Sequence, residues 1–380
     1  MKKSISCAIF ISDVGFGHMV RQRQIIFELK KKIRNIDITI FHQKNLNVIR
    51  KTFNKRVNYI NNFNNIKLNK TSKGFLDKKK AIHDLKKWPK KTEVFLNRNE
   101  KKLKKFDFFI SDLVPEISYY AKKINKPCFS ICHYTWDWFF NRLVNHKKVV
   151  AINLMKKYTK MSTKIYFPPL TNHEILKDYK NKKEVSFITN KLKLKKNNLQ
   201  KKFKILIMNN GTETLTHLIN NIIIMLSKMK HYKFFISTGK LSLEKRRQIN
   251  KIKNIFLIDS SLKQMYSFIN KVDLVLARGG YNTISECLIL KKPSILSYEN
   301  KNPEIFENLK IMREKKYSGT MNYKDWSYKN FRKKLENFLK KDFFQTKKIL
   351  SRKKFKNNGA KEIVNDIKKE LKKFYDKNYC

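Results

Sequence analysis

Apolar residues fall into short β-rich runs separated by longer stretches with a helical period. That alternation argues for parallel sheets covered by helices. In the first half, Ser4–Ser12, Ile36–Phe41, Val57–Ile60, Phe106–Ser111, Pro127–Cys132 and Lys164–Phe167 read as strands. His18–Ile33 carries an amphipathic helix pattern, and Leu76–Leu103 a mostly polar one with a break expected at Trp88-Pro89. Pro115–Ile124 reads as a helix with proline in its first turn. Pro168-Pro169 marks a boundary, and Thr171–Lys202 is polar and lysine-rich, with little periodicity before Val185–Ile188. The alternation then restarts with strands at Phe203–Met208, Tyr232–Ser237, Ile255–Ile258, Val272–Ala277 and Ser294–Ser297. Helices are expected up to about Lys228, over Leu262–Ile269, from Tyr281, and over Pro303–Glu314, Tyr328–Leu339 and Lys361–Tyr375.

The pattern predicts an α/β protein of two Rossmann-like domains facing each other across a cleft. The expected division is a first domain over 1–168, a linker region over 169–202, a second domain over 203–358 and a C-terminal helix over 359–380. An apolar share of 41% builds real cores, so a disordered basic tail is excluded as the whole chain. No run reaches the roughly 18 apolar residues of a membrane-spanning helix. Met1-Lys2-Lys3 and the run after it resemble the start of a signal peptide. Asp13 and Gly-Phe-Gly-His then follow where a cleavage site should stand, so the reading is a buried first strand and a cytoplasmic protein. Five cysteines, scattered over apolar segments, fit buried thiols in a reducing compartment.

The formal net charge is +57. The lysine excess is spread over the chain and accompanies many Asn, Ile, Phe and Tyr, the pattern of an AT-biased genome. Such a surface is drawn to anionic lipid, nucleic acid or acidic glycans. The readings left open are a solvated basic face without a specific partner and peripheral membrane contact at the inner face of the cytoplasmic membrane. Specific nucleic-acid binding is not expected, because no helix-turn-helix, zinc finger or aromatic RNA-binding signature occurs.

Three motifs carry candidate chemistry. Gly15-Phe16-Gly17-His18 follows the first strand and opens a helix, where glycines allow close backbone approach and the helix start favours anions. Val20 stands where a dinucleotide fingerprint needs its third glycine. His18 can take a proton from an attacking hydroxyl, or it only caps the helix. Arg21 and Arg23 read as solvated or phosphate-facing. The second motif is Arg278-Gly279-Gly280-Tyr281-Asn282-Thr283-Ile284-Ser285-Glu286, again between strand and helix. Its amides suit a diphosphate, and Glu286 suits the vicinal hydroxyls of a ribose or is a surface glutamate. Glu304 and Asn308 share a helix face, placed either to hold sugar hydroxyls or to face solvent.

In order and spacing these segments resemble the GT-B glycosyltransferases, in the branch related to the lipid-linked peptidoglycan N-acetylglucosaminyltransferase. Ser111-Asp112-Leu113-Val114-Pro115 and His133-Tyr134-Thr135-Trp136-Asp137-Trp138 are similar to the glycosyltransferase-like N-terminal region of plant L-arabinokinases. No kinase phosphate loop is visible. The resemblance implies an acceptor side in the first domain and a nucleotide-sugar side in the second. It implies His18 as base or transition-state support, with Asp112 and Asp137, placed at strand ends, binding acceptor or acting as base. Gly15 and Gly17 form the first loop. Gly279, Gly280 and Thr283 resemble the diphosphate turn, Glu286 the ribose ligand, and Glu304 and Asn308 the donor-sugar contacts. The second-domain entry loop is glycine-rich in the family but reads Asn209-Asn210-Gly211-Thr212 here, and Ile305 replaces the usual glutamine.

The implied reaction moves a sugar from a nucleoside-diphosphate donor, UDP by default, to a hydroxyl acceptor, with inversion and without metal or cofactor. Uracil is expected near Ile258 and Leu262, and the leaving diphosphate at the helix start beside Arg278. No Asp-x-Asp motif is present. The acceptor is open, with a lipid-linked or anionic one favoured by charge. A sugar-nucleotide epimerase or hydrolase on the same scaffold, and a non-catalytic polyanion- or membrane-binding protein, are the competing readings.

Overall fold

The computed structural model describes residues 4–15, 17–43, 57–61, 65–145, 149–189, 202–208, 213–239, 241–259, 262–299 and 301–378. They form two units. One comprises Met1–Asn69, Asp77–Thr189 and Lys356–Cys380, the other Lys70–Leu76 and Asn190–Phe355.

The first unit runs β1 (Ile5–Ile11), α1 (Gly17–Lys32), β2 (Ile36–Phe41), β3 (Asn58–Ile60), α2 (Lys78–Leu103), β4 (Phe108–Asp112), α3 (Pro115–Lys123), β5 (Cys128–Ile131), α4 (Trp136–Leu143), α5 (Val150–Lys160), β6 (Lys164–Phe167), α6 (His173–Asp178) and β7 (Lys182–Glu184). Its sheet is parallel throughout, in the order β3-β2-β1-β4-β5-β6-β7. Alternation along β1 decides what covers each face. Cys7, Ile9 and Ile11 join Met19, Ile25 and Leu29 of α1, whereas Ala8 and Phe10 join Phe41, Phe109, Phe95 and Ile117. Both faces of the strand are therefore buried, which is why it reads as a continuous apolar run.

The second unit runs β8 (Phe203–Met208), α7 (Glu213–Lys228), β9 (Tyr232–Ser237), α8 (Leu243–Asn250), β10 (Ile255–Ile258), α9 (Leu262–Lys271), β11 (Leu274–Arg278), α10 (Tyr281–Ile289), β12 (Ser294–Tyr298), α11 (Pro303–Glu314), β13 (Gly319–Asn322), α12 (Tyr328–Asn337) and α13 (Phe343–Arg352). Its sheet is also parallel, ordered β10-β9-β8-β11-β12-β13. Ile205, Ile207, Leu274 and Leu276 pack with Leu218, Ile219 and Ile222 of α7.

Several boundaries differ from the sequence reading. Residues 169–189, expected as linker, belong to the first unit, because α6 and the charged edge strand β7 extend its sheet beside β6. Residues 190–201 of that linker lie outside the described residues. The C-terminal helix, α14 (Gly359–Asn378), also belongs to the first unit, burying Ala360, Ile363, Val364, Ile367 and Leu371 in the core that contains β1 and α1. The break expected at Trp88-Pro89 does not occur, since α2 continues through Pro89. Proline inside a helix costs ~3 kcal/mol. Burial of Leu85, Trp88, Phe95 and Leu96 along one face, at roughly 1.5–3 kcal/mol each, outweighs it.

Candidate functional site

In an open parallel sheet, ligands bind beyond the carboxyl ends of the strands, at the point where the strand order reverses. In the first sheet that point lies between β1 and β4, whose last residues, Ile11 and Asp112, are register partners. The Ser12 amide donates to the Asp112 carbonyl at 3.1 Å. The loop after β1 turns at Gly15, whose φ of +106° strains any side chain, and α1 starts at Gly17. This delivers His18 over the end of β4.

Asp112 is fully buried and accepts from four donors. They are His18 Nδ1 at 2.7 Å, Arg21 Nε at 3.1 Å, Gln22 Nε2 at 2.8 Å and Arg21 Nη2. Burial raises the cost of its charge, but Arg21 and His18 outweigh burial and hold the carboxyl well below the usual carboxylate range. An ionised carboxylate only accepts, so His18 donates from Nδ1, and Nε2 is the ring nitrogen not engaged by Asp112. Arg21 also donates to His133 Nδ1 at 3.3 Å. This corrects its sequence reading: Arg21 is 1% exposed and is the counter-charge of Asp112. The available signal was helical spacing, for Arg21 lies one turn after His18 on the same face.

Leu113, next after Asp112, takes a left-handed φ of 58°. Such a φ costs a non-glycine residue roughly 1–2 kcal/mol. The Ser111 hydroxyl bonds the Val114 carbonyl at 2.9 Å, and Trp136 Nε1 donates to the Leu113 carbonyl at 2.8 Å, fixing the turn. Asp137 stands in the first turn of α4, not at a strand end as expected. It accepts from the Tyr179 hydroxyl at 2.8 Å, and burial pushes its carboxyl up. Nothing joins it to His18 by a direct bond, and its partner is a buried tyrosine rather than a reacting group.

The second sheet reverses between β8 and β11. The loop after β8, with Gly211 and Thr212, lies outside the described residues. After β11, the Gly279 amide bonds the Ser297 carbonyl at 3.0 Å, and the Gly280 amide folds back on the Arg278 carbonyl at 2.7 Å. Gly280 is the N-cap of α10, with no side chain closing the helix start. Tyr281, Asn282 and Thr283 form the first turn of α10, the end of a helix that favours an anion. A Cβ on Gly280 would meet nothing within 4 Å, so open space lies there, whereas a Cβ on Gly279 would fall 1.8 Å from Leu309 Cδ1. Gly279 is thus required by packing against α11. Asn308 is 3% exposed and donates to the Gly279 carbonyl at 3.1 Å, so its amide braces the loop.

Glu286 sits half-buried in the second turn of α10, and its carboxylate makes no hydrogen bond or ion pair among the described residues. Burial pushes its carboxyl up to about 8. Arg278, at the end of β11, lies 3.9 Å from Glu299 and also faces Tyr323 and Glu304. Glu304 occupies the first turn of α11. Ile258 ends β10 and is buried, and Leu262 opens α9. Thr283 is buried in the first turn of α10. Among the described residues no group of His, Cys, Asp and Glu is placed to hold a metal ion, and no helix is long and apolar enough to cross a membrane. Cys7, Cys128, Cys132 and Cys287 are buried thiols.

Residues 209–371 match the glycosyltransferase family 28 C-terminal domain, a stretch that includes Arg278–Glu286 and Glu304–Asn308. No curated protein matches the chain. Among solved structures, CalG4, the calicheamicin glycosyltransferase, superposes with a TM-score of 0.69 at 11% identity, covering 98% of this chain and 99% of that one. MurG of Acinetobacter baumannii gives 0.63 at 12%, covering 96% and 99%. Medicago truncatula UGT71G1, solved with UDP-glucose, gives 0.67 at 11%, covering 98% of each. The chain has the GT-B fold. Its two parallel-sheet units are the two α/β domains of that fold, and the matched stretch covers most of the second and runs into α14 of the first.

Proposed function

We propose that this protein is a glycosyltransferase that moves a sugar from a UDP-type donor to a hydroxyl acceptor without a divalent metal. The observation that carries the reading is the bond from His18 Nδ1 to Asp112. It fixes the ring and leaves Nε2 as the base. The acceptor oxygen attacks the anomeric carbon as its proton passes to Nε2. The bond from that carbon to the diphosphate breaks, and the diphosphate leaves with the electron pair. The resulting anion suits the start of α10 and the Arg278 guanidinium. Glu286, whose carboxylate lacks a partner among the described residues, accepts from the ribose hydroxyls, and Glu304 serves the donor sugar. In this reading Asp112 is a positioning residue and Asp137 a structural one.

The arabinokinase-like segments Ser111–Pro115 and His133–Trp138 both belong to the first unit, and Trp136 bonds the turn after Asp112. This supports assigning the acceptor to that unit. A charge of +57 favours an anionic acceptor, or one presented on an anionic membrane, in the cytoplasm. The test is a screen of UDP-sugars for UDP release, with and without hydroxyl acceptors. Release that depends on an acceptor is expected. Equal release without acceptor indicates a hydrolase, and no release with any donor removes the reading.

A further inference from the structure

Arg278 closes β11, while Glu299 and Tyr323 follow β12 and β13, the next strands in the sheet. The three stand side by side at the carboxyl edge of the second sheet. The Arg278 side chain is 22% exposed, and its Nη2 lies 3.9 Å from Glu299 Oε1, attracted yet beyond hydrogen-bond reach. Glu299 Oε2 is buried without a hydrogen-bond partner, and the Tyr323 hydroxyl faces the guanidinium within hydrogen-bond reach. A largely buried guanidinium has five donors, and these two neighbours do not take them all, so the group is set for a ligand that completes its bonding. For donors alone, that ligand is an anion.

What fixes the two neighbours of Arg278 comes from far away in sequence. The turn Lys70–Leu76 belongs to the second unit, although it precedes β4 along the chain. It is closed by the Lys70–Leu76 bridge and by 2.8 Å bonds from the Thr71 amide to the Phe75 carbonyl and from the Gly74 amide to the Thr71 carbonyl. The Leu76 amide donates to Glu299, which also bonds Asn302. The Phe75 ring lies 5.4 Å from that of Tyr323. One short turn therefore holds both.

Resting on the donor reading above, we infer that Glu299 and Tyr323, seated by the turn Lys70–Leu76, are positioning residues that aim Arg278 at the pyrophosphate of the nucleoside-diphosphate donor. The donor site then needs a segment that lies outside residues 209–371, the stretch matching the family domain. Glu299 attracts the guanidinium without using up its donors, so the group stays oriented and available.

The full chain is titrated with UDP and with uridine, which lacks the phosphates. Glu299→Ala is expected to weaken UDP roughly tenfold, as for loss of one charge-assisted contact, and to leave uridine unchanged. Phe75→Ala acts in the same direction by a smaller factor. Glu299→Gln, which keeps an oxygen for the Leu76 amide, falls between wild type and Glu299→Ala. Equal losses of UDP and uridine mean general damage and overturn the inference, as does unchanged UDP affinity. If Glu299→Ala does not fold, Glu299→Gln and Phe75→Ala carry the same comparison. Wild-type protein that binds no UDP overturns the donor reading itself, whereas UDP binding that ignores these substitutions overturns only this inference.

Discussion

The two switch points are built in opposite ways. At the first, Asp112 is saturated by His18, Arg21 and Gln22, and every charge has its counterpart. At the second, no side chain caps α10 at Gly280, the Glu286 carboxylate has no partner among the described residues and Arg278 is only loosely paired with Glu299. Saturation suits chemistry, because a base must be held in one tautomer and one orientation. Incompleteness suits binding, because the ligand supplies the missing hydrogen bonds. On the proposed reading, the incomplete groups form the donor side and the saturated ones the catalytic side.

Replacing Asp112 breaks the comparison most severely. Asp112→Ala leaves Arg21 buried without its counter-charge, and chemical denaturation should show a loss of about 3–5 kcal/mol. Activity should fall with it, since His18 loses its orienting acceptor. Stability within 1 kcal/mol of wild type would mean the pair is relaxed by solvent. Next in size, His18→Ala should lower kcat roughly 10²–10⁴-fold while UDP affinity stays unchanged, measured by initial rates beside calorimetry. An equal loss of UDP binding would contradict the division of labour.

Glu286→Ala should leave folding intact and weaken UDP roughly tenfold to a hundredfold, the effect of hydrogen bonds to one charged group. Its pH behaviour sharpens the point. Burial lifts Glu286 to about 8, above an ordinary value of about 4.3. Between these values the native chain keeps a proton that the unfolded chain releases, so this group's contribution to stability falls as pH rises through that window. Glu116, buried and also raised to about 8, adds a slope of the same sign. Glu286→Gln should flatten the stability profile only in part. Ribose hydroxyls favour the ionised carboxylate, so UDP affinity should climb towards pH ~8 and lose that climb in Glu286→Gln. A profile identical to wild type would contradict the assignment.

The smallest effects distinguish two adjacent glycines. Gly280→Ala meets open space at an ordinary φ, so stability should change by about 0.5 kcal/mol or less while UDP affinity drops. Gly279→Ala drives a methyl into Leu309 and should cost about 1–3 kcal/mol in thermal unfolding. The reverse order of stability losses would show that the open side had been misassigned.

Much of this was legible in the sequence. Strands buried on both faces announce themselves as apolar runs, and glycines between strand and helix mark the carboxyl edges. Asn308 was found by spacing, yet its bond to the Gly279 carbonyl gives it a bracing task that spacing does not carry. What escaped is non-local. Nothing periodic in α14 says that it returns to the first unit, and nothing in Lys70–Leu76 says that it sits beside Tyr323. Arg21 looked solvated because its counter-charge lies 91 residues away, and β7 looked like linker because a charged edge strand has no apolar rhythm. Asp137 was placed at a strand end because the tryptophans around it mask a short helix.

The most direct measurement is calorimetric titration of the full chain with UDP at moderate salt, for wild type and Glu286→Ala. A single saturable site that survives the salt and weakens in the variant is the predicted result. Heat that vanishes with salt, or a site indifferent to Glu286, would show that the start of α10 does not receive the donor.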